Sequence, residues 1–415
     1  MRIPTRLLAL PLLIVSPGLS ALGGQAAPKG NAADNASSTV RWNRLVPKFL
    51  EEAGARRRAA RTAAAGDSAA LRKLAQTPPP MQFRVYTVLS VAQYAAASSA
   101  RHNARVSVET AVATASASVL TELLTDSSVR ASIARELDRD LAQAPVSASR
   151  VIASRQLGED VARRVITWAP PMNFAAGANV VIPTGPGMWY TAKGVAPMGT
   201  FLGKSRTWLI DSAAQFRPAP PPDFNSAAFK ASLEEVQRVA RERTPEQTKI
   251  AKRWSDADPW TEWNEIAASA LRRNRFSEID AARALAVLNI AAIDAVAACF
   301  EAKYHYWTIR PSQIDTTLPL AAGVPLPNFP SYPSGHACSA GAFDAVMGHF
   351  FPKERSDFTR IAEEQAMSRL YGGIHFRFDN DIGLALGRQV ARHAVEVERR
   401  GGLSAWRTAQ VESKR

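Results

Sequence analysis

The stretch SEIDAARALAVLNIAAIDAVAACF, residues 277–300, decides the fold of this chain. Ser277-Glu278-Ile279-Asp280 has the pattern of a capping box and predicts the start of a long helix that runs through Phe300. The apolar part of this helix contains Asn289 and Asp294. Because a carboxylate in the middle of a bilayer costs about 3 kcal/mol, we expect a buried core helix here. No segment of the chain is predicted to span a membrane.

Helical periodicity recurs on both sides of this segment, and convincing alternating strands are lacking, so the predicted fold class is all-α. Apolar residues at three- and four-residue spacing mark residues 85–100, 106–124, 129–141, 227–243 and 260–271. The Pro- and Gly-rich stretch 170–222 is predicted to be an irregular crossover anchored by aromatic side chains. A weak similarity between residues 88–92 and 287–291 would be explained by two similar helical bundles, or by chance among alanine-rich helices.

The N-terminus has the pattern of a secretory signal peptide. Arg2 and Arg6 precede the apolar run 7–15, which is followed by small residues. Nine apolar residues are too few to span a bilayer, which needs about 20. We therefore expect residues 1–26 to be a signal peptide and the protein to be exported, either to the periplasm or as a secreted protein.

Charge and cysteine content limit the remaining functions. The 415 residues include 51 Lys plus Arg and 37 Asp plus Glu, for a net charge of +14. Much of this charge lies in the Ala- and Arg-rich residues 27–80, which are predicted to form a solvated arm, mobile or loosely helical. Export makes a nucleic acid partner unexpected. Cys299 and Cys338 are too few for a disulfide framework, and two buried thiols are favoured over a pair.

These patterns divide the chain into five parts. They are a signal peptide (1–26), a basic N-terminal arm (27–80), an N-terminal helical half with the crossover (81–225), a C-terminal helical half (226–400) and a tail (401–415).

Three short segments of the C-terminal half concentrate charged and nucleophilic side chains. In the first, Lys303 is followed seven residues later by Arg310-Pro311, with several aromatic residues between them. Lys supplies a compact charge, whereas Arg supplies a planar fork that can bind two oxygens of one anion. On its own, such a pair is more typical of a solvated helix end.

The second segment is Pro333-Ser334-Gly335-His336, followed by small residues. Pro333 is predicted at the first position of a helix, where its missing N–H costs nothing. The free N–H groups and the positive dipole end of such a helix favour an anion. Ser334 can cap the helix or donate its hydroxyl, Gly335 lets a ligand approach the backbone, and His336 can transfer a proton. A single histidine in this position is more often an ordinary interior residue.

The third segment is Ser368-Arg369, five residues, His375, three residues, Asp379. The glycine pair 372–373 is predicted to end the preceding helix, so that Arg369 and His375 converge. Asp379 would lie on the same helix face as His375 and hold one imidazole nitrogen, which leaves the other basic. Alone, this His-Asp spacing is typical of an ordinary helix-surface pair.

Together the three segments describe a pocket for a tetrahedral oxyanion. Their order and every motif position are similar to the three-part signature of the acid phosphatase / vanadium-dependent haloperoxidase superfamily. The flanking sequences FPSY (329–332) and GIHFRFD (373–379) resemble the soluble haloperoxidase branch. The resemblance extends from about residue 83 to residue 395.

The resemblance implies that five residues bind the oxyanion. Lys303, Arg310 and Arg369 would neutralise the oxygens of bound vanadate or phosphate. The Ser334 hydroxyl and the Gly335 amide would donate hydrogen bonds to the same oxygens.

The resemblance also implies three catalytic residues and a fold. His375 would coordinate the vanadium of vanadate, or attack phosphorus to give a phosphohistidine. His336 would be the acid–base group, and Asp379 would orient His375. The implied fold is all-α, with two four-helix-bundle units as in the soluble haloperoxidases.

The motif residues fit two activities, because vanadate bonded to histidine adopts the trigonal bipyramid of phosphoryl transfer. The favoured prediction is a haloperoxidase-type enzyme with vanadate as cofactor and hydrogen peroxide and halide as small-molecule substrates. The alternative is a soluble exported acid phosphatase that hydrolyses a phosphate monoester without a cofactor, and a non-catalytic anion-binding protein is a third reading. Chain length favours the first, as would an apolar wall made by Phe329, Tyr304, Tyr306 and Trp307, although these aromatics fit plain core packing equally well. The oligomeric state is left open.

Overall fold

The long helix expected from Ser277 onward is present and forms the centre of the fold. A computed structural model describes residues 37–65, 67, 81–177 and 180–407. In this part of the chain the helices are α1 Ser38–Ala63, α2 Gln82–Ala100, α3 Val108–Leu123, α4 Ser127–Gln143, α5 Ala148–Trp168, α6 Ala227–Arg241, α7 Pro245–Asp256, α8 Pro259–Arg273, α9 Glu278–Tyr306, α10 Pro311–Ile314, α11 Gly335–Phe350, α12 Arg355–Tyr371 and α13 Arg377–Arg399. The described residues contain no strand, and one isolated bridge joins Met188 to Thr308. The all-α prediction is confirmed.

Helix α9 begins where the sequence predicts, because the Ser277 hydroxyl accepts a hydrogen bond from the Asp280 amide. The helix continues past Phe300 to Tyr306 and ends at Trp307, whose φ of 52° is left-handed. Among the described residues, α9 is the one helix long and apolar enough to cross a membrane, and 83% of its apolar window is buried inside the protein. Burial on all sides explains why its apolar residues show no single stripe.

Asp294 shows why a carboxylate is tolerated in this core helix. Its side chain accepts hydrogen bonds from the backbone amides of Trp208, Leu209 and Ile210 at 2.7–3.2 Å. A buried carboxylate is stable only with such partners. The crossover between α5 and α6 is therefore anchored to the centre of α9, and it contains two short 3₁₀ turns, Phe174–Gly177 and Leu202–Lys204.

Two groups of helices pack around α9, and the described residues gather in one compact unit. Helix α2 contacts α9 and packs with α3 and α5, while α11 and α13 contact α9 and pack with α12. Helices α5 and α7 lie in stretches for which the sequence predicted no helix.

Helices α11 and α13 approach each other very closely, and this contact positions the site. A Cβ atom on Gly387 would lie 2.0 Å from the carbonyl oxygen of Cys338, and one on Gly383 would lie 2.8 Å from that of Ser334. Only glycine permits backbones at this distance. Consequently, the first turns of both helices meet, and the Ser334 amide donates to the Asp379 carbonyl at 2.9 Å. Cys338 and Cys299 are both buried free thiols.

The interpretation of residues 27–80 as a solvated arm is wrong for the first half of α1. Val40, Trp42, Val46 and Phe49 are buried in the core. The Glu278 carboxylate also accepts hydrogen bonds from the amides of residues 38 and 39, at 2.9 and 2.7 Å. Apolar side chains at three- and four-residue spacing outweigh the basic composition, because their burial depends on position and not on average charge. The predicted signal peptide and residues 408–415 of the predicted tail lie outside the described residues.

Candidate active site

The three motif segments meet where several helices end. Helix α9 ends just after Lys303, α11 begins at Gly335, α12 ends shortly after Arg369, and α13 begins after His375. All eight residues proposed from the sequence contribute to this region, namely Lys303, Arg310, Ser334, Gly335, His336, Arg369, His375 and Asp379. The starts of α11 and α13 present free amide N–H groups and positive dipole ends, which suit an anion, whereas the carbonyl groups at the ends of α9 and α12 can hold cations.

Three cations are buried in the pocket. Lys303 and Arg310 are fully buried, and Arg369 is 3% exposed. The Lys303 Nζ donates to the carbonyl oxygens of Pro330 and Ser331, both at 2.8 Å. These bonds hold the ammonium group in place but supply no negative charge.

The two guanidinium groups are held in the same way, by neutral acceptors. Arg310 donates from Nε to Phe329 O at 2.8 Å and from Nη1 to Ile374 O at 2.7 Å, while its buried Nη2 has no partner. Arg369 donates from Nε to Ser368 Oγ at 2.9 Å and from Nη2 to Ala251 O at 3.0 Å. The forks are thus fixed by backbone and hydroxyl oxygens, and Arg310 keeps one donor unused.

Charge in the pocket is out of balance. Burial lowers the pKa of Lys303 to about 8, and the neighbouring Arg310 adds to this effect. Burial also lowers the pKa of Arg310 and of Arg369. The carboxylate among the motif residues is Asp379, so three cations face one anion. Binding a multiply charged oxyanion would remove this cost.

The start of α11 differs from the prediction. Pro333 follows a cis Tyr332–Pro333 bond and precedes the helix, whose first residue is Gly335. The reason is that Ser334 has an extended backbone, with φ −70° and ψ 121°, and so takes the N-cap position. Its hydroxyl makes no capping bond and is buried without a partner. A free hydroxyl next to the Gly335 amide is a second unused donor at the site.

His375 and Asp379 are in contact, but not on one helix face as predicted. His375 lies in the loop before α13, and Asp379 lies in the first turn. The two atoms His375 Nδ1 and Asp379 Oδ2 are 2.9 Å apart, and Asp379 Oδ2 also accepts from Ser331 Oγ at 2.5 Å and from the Phe376 amide at 3.0 Å. A carboxylate near the free amides of a helix start is favourable.

The protonation of this pair follows from its surroundings. Burial, reinforced by Arg310 and Lys303, lowers the pKa of His375 well below its usual value. Burial raises the pKa of Asp379 to about 6, although the Ser331 hydrogen bond opposes this shift. His375 is therefore neutral, with its proton on Nδ1 and a lone pair on Nε2. The Nε2 atom lies 3.5 Å from Arg310 Nη1, inside the cationic pocket.

His336 is held by residues that the sequence did not single out. The His336 Nε2 lies 3.1 Å from the Trp254 carbonyl oxygen. Gln365 Nε2 donates to the backbone carbonyl of His336 at 2.9 Å. Burial and the charge of Arg369 lower the pKa of His336 well below its usual value. The Nε2 proton is thus engaged by Trp254, and Nδ1 is the basic nitrogen. No local motif signals Trp254, because it comes from α7, a helix the sequence did not predict.

Of the aromatic residues that were expected to form an apolar wall, Phe329 lies against the buried cations. The ring centroid of Phe329 lies 4.9 Å from Lys303 Nζ and 5.1 Å from Arg310 Cζ. Phe300 packs against the same ring at 5.2 Å between centroids. By contrast, the Tyr306 hydroxyl donates to the Pro218 carbonyl at 2.6 Å, so Tyr306 supports the crossover. The pocket is therefore bounded on one side by an apolar face.

The donors fit a tetrahedral oxyanion. Within the described part of the chain, no group of three or more His, Cys, Asp or Glu could hold a metal cation. Instead, the unpaired Arg310 Nη2 and Ser334 Oγ, the helix start at Gly335 and the lone pair of His375 Nε2 suit an anion bonded to one imidazole. Vanadate or phosphate has both the charge and the oxygens that these groups require.

Comparisons with known proteins agree with this chemistry. Residues 283–400, which contain all eight site residues, match the PAP2 superfamily. The lipid A 1-phosphatases of Rhizobium etli and Rhizobium johnstonii are 41% identical to this chain over 59 residues, which is 14% of the chain and 25% and 24% of the relatives. The match thus spans about a quarter of the length of these curated relatives.

Solved structures match over most of the chain. The crystal structure of a bacterial vanadium-dependent iodoperoxidase is 25% identical, with a TM-score of 0.65 over 77% of this chain and 91% of that one. The apo form of a bacterial vanadium-dependent chloroperoxidase is 13% identical, with a TM-score of 0.61 over 77% of this chain and 94% of that one, and it shows the fold alone.

Residues 283–400 are therefore a PAP2 superfamily domain, and the helical arrangement of the chain is similar to that of the vanadium-dependent haloperoxidases. Members of this superfamily are phosphatases or haloperoxidases, which supports an enzyme that acts on a small molecule.

Proposed function

We propose that this protein is a vanadate-dependent haloperoxidase-type enzyme that oxidises halide with hydrogen peroxide. One observation favours a haloperoxidase over a phosphatase. The structural similarity to the iodoperoxidase covers 91% of that chain, whereas the sequence similarity to the lipid A 1-phosphatases covers about a quarter of their length. Phe329 adds support, because an apolar face beside the cations suits a weakly hydrated halide.

Six residues would hold the vanadate. Lys303, Arg310 and Arg369 would neutralise its oxygens, and the Ser334 hydroxyl and Gly335 amide would donate to them. His375 Nε2 would bond the vanadium. Vanadate bound in this way supplies a Lewis-acidic centre that activates peroxide toward halide.

His375 and Asp379 act as one unit in this proposal. The Asp379 carboxylate accepts a hydrogen bond from Nδ1–H of His375, fixes the tautomer and raises the electron density of the ring. The Ser331 hydroxyl and the Phe376 amide keep the carboxylate oriented. The lone pair on Nε2 is then directed into the pocket before any ligand arrives, which avoids the cost of ordering it on binding.

His336 is proposed as the acid–base group. Its Nε2 is held by the Trp254 carbonyl, so Nδ1 would be the nitrogen that accepts a proton from hydrogen peroxide and gives it back. The neighbouring Arg369 and burial keep the ring neutral near pH 7, which is the state a base requires.

The second candidate is an acid phosphatase, and the 41% identity to the lipid A 1-phosphatases supports it. The His375 Nε2 lone pair would attack phosphorus and form the N–P bond while the ester P–O bond breaks. At acidic pH, protonated His336 would donate its Nδ1 proton to the leaving oxygen and would take a proton back from the water that hydrolyses the phosphohistidine to phosphate. This activity would need no cofactor, and its substrate would be a phosphate monoester.

We also propose that the protein is exported to the periplasm or secreted, on the basis of residues 1–26. If halide is oxidised by hydrogen peroxide outside the cytoplasm, the hypohalous products form away from intracellular thiols.

The experiment that separates the candidates uses the purified protein before and after incubation with orthovanadate. Oxidation of iodide and bromide with hydrogen peroxide is measured beside hydrolysis of a generic aryl phosphate. We expect halide oxidation that requires vanadate, is lost in His375→Ala and is retained in His102→Ala, which changes an exposed histidine remote from the motifs. Phosphate ester hydrolysis that vanadate inhibits, without halide oxidation, would overturn the peroxidase proposal and favour the phosphatase.

A further inference from the structure

The carboxyl end of α7 is directed at two groups of the active site. The Trp254 carbonyl oxygen lies 3.1 Å from His336 Nε2, and the Ala251 carbonyl oxygen accepts a hydrogen bond from Arg369 Nη2 at 3.0 Å. Helix α7 ends at Asp256, so Trp254 lies in its last turn, where carbonyl groups lack a partner within the helix. The partial negative charge of a helix C-terminus favours N–H donors and cations in this position.

The side chain of Trp254 determines where this end of α7 lies. Trp254 is fully buried, and its indole Nε1 donates to Glu364 Oε1 at 3.0 Å. The same oxygen accepts from Arg253 Nη1 at 3.0 Å, and the Arg253 Cζ lies 4.9 Å from the centroid of the Trp254 ring. Because a buried indole N–H without a partner is costly, Glu364 fixes the orientation of Trp254.

Glu364 and its neighbour Gln365 on α12 hold His336 in two ways. Gln365 Nε2 donates to the His336 backbone carbonyl at 2.9 Å, and Gln365 Oε1 accepts from the Trp263 indole at 2.6 Å. Gln365 is fully buried, and the Glu364 side chain is 25% exposed. Helix α12 therefore fixes the backbone of His336 directly and its ring through Trp254.

The contact with Trp254 decides which nitrogen of His336 carries the proton. A neutral imidazole has one N–H and one lone pair. Because a carbonyl oxygen only accepts, the contact requires the proton on Nε2 and leaves the lone pair on Nδ1. Burial and the nearby Arg369 lower the pKa of His336, so the ring is neutral and its tautomer is the property that the contact selects.

We propose that Glu364 is a positioning residue for the acid–base group and that it acts through Trp254. Its carboxylate holds the indole, the Trp254 carbonyl holds Nε2–H of His336, and Nδ1 is left as the nitrogen that exchanges a proton with the substrate. Glu364 lies outside the three motif segments. The inference rests on the proposed function for the role of His336, but the tautomer is observable without turnover.

The test determines the tautomer of His336 by NMR, from long-range ¹H–¹⁵N correlations of the ¹⁵N-labelled protein near pH 7. The signals of His336 are those that His336→Gln removes. In the wild type we expect mainly the Nε2–H tautomer. In Glu364→Ala we expect the ratio of the Nε2–H to the Nδ1–H tautomer to fall by about twofold to tenfold, the effect of one hydrogen bond of ordinary strength.

Further variants isolate the route through Trp254. Trp254→Phe removes the indole N–H but keeps the carbonyl, and it should lower the ratio by the same factor. Combining it with Glu364→Ala should lower the ratio no further, because both changes break one contact. Glu364→Gln, whose amide oxygen can accept from the indole, should keep the wild-type ratio. The matched control is Glu363→Ala, which alters an exposed neighbour and should also keep it.

Several results would overturn the proposal. They are a wild-type protein with mainly the Nδ1–H tautomer, an unchanged ratio in Glu364→Ala, additive effects of Glu364→Ala and Trp254→Phe, and an equal loss in Glu363→Ala. A loss in Glu364→Gln as large as in Glu364→Ala would assign the effect to the charge of Glu364 and also overturn it. If Glu364→Ala does not fold, Trp254→Phe decides, and an unchanged ratio in that variant counts against the proposal.

Vanadate binding and turnover provide an independent comparison. Ala251, which binds Arg369, packs in a separate apolar cluster with Ala321 and Ile374, so Glu364→Ala should keep the wild-type Kd for vanadate. Its kcat for halide oxidation should fall by the same factor as the tautomer ratio. An equal loss of vanadate affinity would assign Glu364 a structural role and overturn the proposal. If the protein oxidises no halide, the proposed function fails, whereas the tautomer ratios still decide the role of Glu364.

Discussion

The Nδ1 atom of His375 lies 2.9 Å from Oδ2 of Asp379, and both side chains are buried. The pair spans the junction between the loop after α12 and the first turn of α13. Because Nδ1 is bonded to Asp379, Nε2 is the His375 nitrogen that carries the lone pair. It lies 3.5 Å from Nη1 of Arg310. The geometry of this pair underlies the first prediction.

Replacing Asp379 with Asn should weaken vanadate binding by about tenfold to 100-fold, as for other partners of metal-bound histidines. The amide oxygen of Asn can still accept a hydrogen bond from Nδ1–H. Without the negative charge of the carboxylate, however, the imidazole is a poorer electron donor to vanadium. The measurement is the vanadate Kd by equilibrium dialysis. Ser331→Ala, which removes one hydrogen bond to the carboxylate, should have a smaller effect, and a larger effect for Ser331→Ala would contradict the assignment.

Replacing Ser334 with Ala should have opposite effects on binding and on stability. The hydroxyl has no partner in the protein, so its removal should leave the melting temperature unchanged or raise it. Loss of one donor to the charged oxyanion should weaken vanadate binding by about 1.5–3 kcal/mol. A lower melting temperature with unchanged vanadate affinity would show that Ser334 has a structural role instead.

Replacing Arg369 with Lys should weaken oxyanion binding by about 2 kcal/mol, the range for a lost hydrogen bond to a charged group. A lysine keeps the positive charge but loses the planar guanidinium group. That group donates to Ser368 and Ala251 and still presents N–H groups to the pocket. The matched control is Arg392→Lys, which alters an exposed arginine on α13. Equal affinities in the wild type and Arg369→Lys would exclude bidentate binding.

The affinity for oxyanions should depend on pH through Lys303. Its pKa is lowered from the usual 10.5 to about 8, so the protonated form costs folding free energy below pH 8 and that cost is relieved as the pH rises from 8 toward 10.5. Binding has the opposite sign, because an anion needs the ammonium form. Affinity should therefore be full below pH 8 and fall by up to about tenfold per pH unit above it.

Sulfate is the probe for this effect, because its charge is constant in that range. Displacement of vanadate by sulfate is measured from pH 7 to pH 9.5. Lys303→Met should bind more weakly and show no pH dependence in this window. The same slope in the wild type and in Lys303→Met would assign the titration to another group.

Replacing Trp42 with Ala should lower the free energy of unfolding by about 3–5 kcal/mol, as for other fully buried tryptophans. Its indole N–H also donates to Asp140 at 2.8 Å. Denaturant unfolding measures the change, and Arg56→Ala in the exposed part of α1 is the control. A stable Trp42→Ala protein would restore the interpretation of this region as a solvated arm.

The sequence predicts the central helix and the site residues well because both depend on local signals. Ser277 caps α9 through its own side chain, and α12 ends at Tyr371, directly before the glycine pair 372–373 that was expected to end it. The spacing of the three motifs also identifies the charges that converge. These features need no knowledge of distant contacts.

Tertiary contacts explain what the sequence did not predict. Helix α1 appears as a basic arm by composition, and only its packing against the core and its bonds to Glu278 show that it is buried. Trp254 acquires a role because α7 brings its carbonyl to His336. Ser334 was expected to cap or to bind the anion, and the extended backbone at this residue leaves its hydroxyl free for the anion.

The most direct test of the account is the stoichiometry and residue dependence of vanadate binding to the purified protein. We expect a single vanadate per chain, displaced by phosphate, lost in His375→Ala and retained in His102→Ala. No binding to the wild type, or binding that His375→Ala leaves unchanged, would contradict a His375-centred oxyanion site.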